Sequence, residues 1–315
     1  MNWKNKNKER AIAIIAISLI IFLTTIQPVL LKSNEGDLSS IRNHMLKAQG
    51  KCEEANEKGW SEEACESYRP LLGIITAPFS GSIITFTIIM FIIIGVITPL
   101  ILFWITDKWI TVLFYFTLTN YFYTTMDGIY AQALAMAIAL FLLKSKSVKI
   151  DILILALLAL THGTGFALGA IFFVAKHLPK AFLICTGVFG SNTPKIVEEQ
   201  IKSDPIYAGS TMNLANLIHV FTKVFPFPVL LIAFWQNLKD KDYHLIIILI
   251  ASIAAGLTLQ TRAFLVIPLI GIIGFTSFYN SQKDKGKFLI IVASLIWGLF
   301  NFISYINVKM CLGVI

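Results

Sequence analysis

Long apolar runs separated by short, lysine-bearing gaps constrain this chain more than any other feature. Residues 82–105 and 288–306 contain no Asp, Glu, Lys or Arg. Each is long enough to cross a hydrocarbon core at a helical rise, and strand-like alternation is absent. The composition agrees, with 56% hydrophobic and 14% charged residues in 315; a soluble globule of this size would carry more polar surface. The expectation is an all-α polytopic membrane protein forming a single transmembrane domain over residues 1–315. The first run, residues 11–31, is too long for the apolar core of a signal peptide and no small-residue cleavage site closes it, so it reads as a retained anchor.

The net charge of +8 does not point to nucleic acid, because the lysines fall in the gaps. Lys4, Lys6, Lys8 and Arg10 precede the first run, Lys108 follows the second, and Lys144, Lys146 and Lys149 follow the fourth. Further gaps hold Lys176 and Lys180, then Lys239 and Lys241, then Lys283, Lys285 and Lys287. Positive charge of this kind marks the cytoplasmic ends of spans. The N-terminus is thus expected in the cytoplasm and residues 32–70 outside it, as a large first external loop. Residues 82–105 return, 109–124 go outward to a belt at Tyr121, Phe122 and Tyr123, and Met126-Asp127-Gly128 makes a minimal external turn. Residues 152–175 read either as one long span or as two short helices hinged at Thr161-His162-Gly163-Thr164-Gly165, and the basic patch Lys176-His177-Lys180 argues for the hinge. Residues 191–211 form a second external loop. Lys223 snorkels, marks an interfacial helix before Pro226 and Pro228, or lines a wet cavity. Gln260-Thr261-Arg262 makes another short external turn, and the count is nine to eleven spans.

Ionisable chemistry concentrates in the first loop, which holds eight of the 18 acidic residues. Residues 39–49 have the composition of a surface helix, with Ile41, Met45 and Leu46 as its apolar stripe. Cys52 and Cys65 share this loop and can close it with a disulfide in an oxidising compartment. They are too far apart for a short zinc pair and no histidine cluster accompanies them. Cys185 and Cys311 lie in apolar context as fillers. Asp37 taken alone reads as readily as a solvated cap as a catalyst.

The ensemble Gly36-Asp37, His44, Ala48, Gly50, Tyr68-Arg69-Pro70-Leu71 and Ala77-Pro78 resembles the first external loop of the GT-C superfamily of polyprenyl-phosphate-dependent glycosyltransferases, which includes oligosaccharyltransferase catalytic subunits. Asp127-Gly128-Ile129-Tyr130-Ala131-Gln132, Leu157 to Gly165 and Arg262 to Pro268 resemble later stretches of that family in order and spacing. The likeness covers residues 10–280. The chain lacks a Trp-Trp-Asp run and a C-terminal soluble domain, which sets it apart from enzymes that glycosylate asparagine and leaves acceptor binding to a thin region or a partner subunit.

The resemblance implies a GT-C-like bundle in a prokaryotic plasma membrane, taking a sugar from a polyprenyl-phosphate donor on the external face with inversion. Asp37 would then be the catalytic carboxylate, acting as general base or as a ligand with Asp127 for a divalent ion such as Mg or Mn. Because the donor already carries a good leaving group, one base and one fixed cation suffice. Arg262 suits the cation, since a guanidinium holds phosphate oxygens bidentately; an interfacial anchor is its plainer reading. Arg42 and His44 would position substrate or simply solvate a surface helix, and His162 reads as a hinge residue. Two rivals stand beside this reading. A transporter or flippase would bury charges in mid-span, and a non-catalytic membrane subunit would use the cysteine loop to dock a partner.

Overall fold

The computed structural model of the protein describes residues 9–10, 12–13, 15–17, 46, 49, 51, 70–79, 85, 88–89, 92–119, 130–161, 163–177, 225–258 and 266–311. Among these, regular structure is helical throughout, as the apolar runs predict. We number the helices α1 (Pro70–Thr76), α2 (Thr98–Thr106), α3 (Ile110–Thr117), α4 (Tyr130–Lys144) and α5 (Val148–Thr161). They continue as α6 (Gly163–His177), α7 (Phe227–Asp240), α8 (Tyr243–Thr258), α9 (Val266–Ser281) and α10 (Asp284–Cys311). One described stretch, Asp284–Ile303 within α10, is long and apolar enough to cross a membrane; several other apolar helices are shorter.

The turns that follow α2, α4, α7 and α9, together with the last turn of α6, gather at one end of the bundle. Asp107, in the left-handed conformation, caps α2 and hands the chain to α3 at Lys108. Lys144, the last residue of α4, donates to the Trp104 carbonyl near the end of α2. Lys176, in the last turn of α6, donates to the Leu142 carbonyl of α4 at 2.8 Å. Ser277 near the end of α9 donates to Asp240 at the end of α7, and Thr111 at the start of α3 bonds Thr276 of α9 at 3.2 Å. Lys287 of α10 lies 5.8 Å from the Tyr279 ring centroid, and Glu9 lies within electrostatic reach of the same tyrosine. The described parts of the predicted lysine gaps therefore converge on a single end, here called the lysine end.

α5 and α6 settle the question left open at Thr161–Gly165. They run antiparallel: Asp151 at the start of α5 meets Lys176 and His177 at the end of α6, and a Cβ on Gly169 would run into Leu158 of α5. An unbroken helix would hold these residues about 37 Å apart at its rise per residue. The hinged alternative is the one observed, and Lys176 and His177 return to the lysine end.

Ahead of α2 the chain winds as a π-helix over Ile92–Ile97. In that register the donor to the Ile94 carbonyl would be residue 99, which is a proline and has no N–H. The Tyr115 hydroxyl, fully buried, supplies the missing donor at 2.7 Å. Thr98 returns its hydroxyl to the Ile93 carbonyl at 3.0 Å. An apolar bundle requires such substitutes, because an unpaired buried carbonyl is costly.

The core lies where α3 and α9 meet, with Phe114 edge-on to Phe275 and Tyr279 at 5.1 and 5.6 Å. Beside it, α7 and α9 approach closely through glycine. A Cβ on Gly274 would stand 2.7 Å from Asn237 Oδ1 and 2.8 Å from the Ala233 carbonyl oxygen. Small residues at such crossings let backbones come together. Gly274→Ala is expected to lower thermal stability by about 1–3 kcal/mol through overpacking, measured on detergent-solubilised protein. Gly286→Ala, whose Cβ would come no nearer than 3.4 Å to Gln282, should leave stability unchanged or slightly raised. Gly274→Ala as stable as the unmodified chain would show that the crossing tolerates a wider separation.

Candidate functional site

The residues singled out by sequence, Asp37, Arg42, His44, Asp127 and Arg262 together with Cys52 and Cys65, lie outside the described residues, as do Lys223, His162 and the loop 191–211. Of the expected surface helix, Leu46 is described: it is helical and buried, and its carbonyl accepts the Gln49 and Lys51 amides. The helix ends that bracket two of the candidate segments are described. Thr119 and Tyr130 flank 120–129, and Thr258 and Val266 flank 259–265. All four belong to the end of the bundle opposite the lysines, because α3 and α8 leave the lysine end and α4 and α9 arrive at it.

Two polar clusters stand out among the described residues, and sequence reading alone singled out neither as a site. The first is Asp151, fully buried one turn into α5. Its Oδ2 accepts from Lys176 Nζ at 2.7 Å and contacts His177 Nε2 at 2.6 Å. Among the described residues its buried Oδ1 has no hydrogen-bond partner. Lys176 spends a second donor on the Leu142 carbonyl, and the His177 ring leans on Phe173 with centroids 4.7 Å apart. The arrangement ties three helices at one point. A carboxylate removed from water in this way is tolerable because the ammonium lies against it. The signal in the sequence was a single Asp at the head of an apolar run, with Lys-His 25 residues on; only the hinge makes them neighbours.

The second cluster ties α7 to α9. Asp240 accepts from Gln236 Nε2 at 2.9 and 3.0 Å and from Ser277 Oγ at 2.6 Å. Hydrogen bonds from Ser277 and then Gln236 hold its carboxyl below the ordinary value. The sign follows from linkage: a carboxyl with a lowered folded pKa contributes stability above its unfolded value, and that contribution is lost as pH falls through the folded one. Gln236 Oε1 and Asn237 Nδ2, both buried, have no hydrogen-bond partner among the described residues.

Chemically, both clusters are clasps at helix ends, each a carboxylate engaged by a donor from a neighbouring helix. Among the described residues no three His, Cys, Asp or Glu side chains converge as metal ligands. Comparisons with family models, with characterised proteins and with solved structures give no match for this chain.

The Asp151 clasp makes a quantitative expectation. Lys176→Met leaves a buried carboxylate short of its cation and should cost about 3–5 kcal/mol, read from thermal unfolding in detergent. Asp151→Leu combined with Lys176→Met should recover most of that loss. Additive losses in the double variant would mean that the two side chains stabilise the bundle independently.

Proposed function

We propose that the chain is a polytopic membrane glycosyltransferase of GT-C type, moving a sugar from a polyprenyl-phosphate donor to an acceptor on the external face. The observation that carries this reading is the sorting of the bundle's two ends. Lysine-bearing turns collect at one end, which suits the cytoplasm. The described helix ends that bracket 120–129 and 259–265 belong to the other end, and Glu9 lies within electrostatic reach of Tyr279 at the lysine end. A carboxylate pair and a guanidinium on one membrane face are the groups such a transfer needs.

In this reading Asp37 takes the proton of the acceptor hydroxyl as that oxygen attacks the anomeric carbon. The bond from that carbon to the donor phosphate breaks, and Arg262 neutralises the departing phosphate oxygens. Arg42 and His44 orient the donor. In the other role open to it, Asp37 would hold with Asp127 a divalent ion that would supply charge neutralisation at the phosphate. The acceptor, or a partner subunit that carries it, approaches from outside. The alternative of a transporter or flippase for a lipid-linked or polar solute draws on one observation, the buried Asp151 with its unpartnered oxygen; its position at a helix end rather than in mid-span favours the clasp.

The test is donor consumption by purified protein in lipid, offered a mixture of polyprenyl-phosphate sugars. Asp37→Asn is expected to lower the rate by about 10²–10⁴-fold, the usual contribution of a positioned base. Arg262→Ala should lower it by about 10²–10³-fold. Consumption that persists in Asp37→Asn would remove the assigned base and with it this reading.

A further inference from the structure

We propose that the lysine end carries two built sites for anionic lipid, one on α2 and α4 and one on α7, each an apolar stripe capped by a lysine over a tryptophan. The inference rests on the membrane reading above and adds a partner to it.

Spacing creates the first stripe. Ile97, Leu100 and Trp104 recur at intervals of three and four, so they share one face of the chain leading through α2, and they are 42%, 39% and 45% exposed. Phe141 of α4 widens the stripe at its base, its ring 5.8 Å from that of Trp104. Lys144 closes it, with Nζ 5.0 Å from the Trp104 ring centroid. The second stripe repeats the pattern on a different helix. Leu231, Trp235 and Leu238 are 52%, 53% and 45% exposed, and Lys239 places Nζ 5.5 Å from the Trp235 centroid.

Both stripes run the same way, apolar towards the middle of the bundle and cationic at the lysine end. That polarity matches a lipid with its chains inward and a negative phosphate outward. An ammonium over an aromatic face keeps N–H donors to spare, and tryptophan prefers the headgroup level. The surrounding field has the same sign: within positions 104–110, 144–151, 176–177, 239–242 and 283–287 there are ten lysines against five aspartates. Of those five, Asp151 and Asp240 are engaged in the clasps described above. A zwitterionic headgroup, whose own cation would meet this field, fits less well than an anionic one.

The experiment uses the full chain reconstituted in phosphatidylcholine vesicles, with spin-labelled phosphatidylglycerol or phosphatidylcholine as probe and the motionally restricted fraction as readout. Phosphatidylglycerol should associate more strongly than phosphatidylcholine. Lys239→Gln should weaken its association at that site by about fivefold, and Lys239→Arg should restore it. Lys144→Gln should act likewise, but Lys144 also donates to the Trp104 carbonyl, so Lys239 is the cleaner position. Equal association of the two lipids, or a preference unchanged in both Gln variants, overturns the proposal while leaving the membrane reading intact. Failure of the chain to float with the vesicles overturns both.

Discussion

A lysine ammonium cannot rest unpaired in hydrocarbon, and the arrangement of this bundle follows from where the chain puts its lysines. Among the described residues, the lysine-bearing gaps at Lys108, Lys144–Lys149, Lys239–Lys241 and Lys283–Lys287 are turns at the same end, and the helices between them travel out and back in pairs. The α5–α6 pair shows the constraint acting against the simpler choice. Residues 152–175 are apolar enough to run straight, yet Lys176 and His177 return to Asp151. The hairpin exchanges one long helix for a closed ion pair and for a face, around Gly169, on which α5 and α6 can pack.

A second demand is that polar groups inside the bundle find partners without water. Tyr115 answers it at the π-helix before Pro99. The threonines answer it by turning their hydroxyls back onto carbonyls one turn earlier, as Thr117 and Thr119 do. Asn301 reaches from α10 to the Thr117 carbonyl at 3.5 Å, where Gly298 lets the two helices close. On the other face of α10, Phe288, Leu289, Ile296 and Phe300 are more than half exposed. A helix with one small, polar, packed face and one large apolar open face is shaped for a lipid boundary.

Much of the fold was legible because it is written in composition along the chain. The turn at Lys108, the return of α4 to Lys144 and the break near Thr161 were each marked by a charge or by glycines. The clasps were not legible. Asp151 and Lys176 become partners only when a hinge folds one helix onto another, and Ser277 meets Asp240 across 37 positions; no local pattern encodes either. The π-helix was hidden for a different reason, since Pro99 inside an apolar run signals disturbance but not which register relieves it. The proposed catalytic residues were found by resemblance, and the bundle bears on them through the helix ends that bracket their segments.

The separation of the two ends is the central claim, and side-specific labelling tests it most directly. Cysteine introduced at Thr125 and, in a second variant, at Ser147 would be treated in intact cells with a membrane-impermeant maleimide, and labelling above that of the unmodified chain measured. Thr125→Cys is predicted to label from outside, and Ser147→Cys only after the membrane is opened. Labelling of both from outside, or of Ser147→Cys alone, would contradict the account.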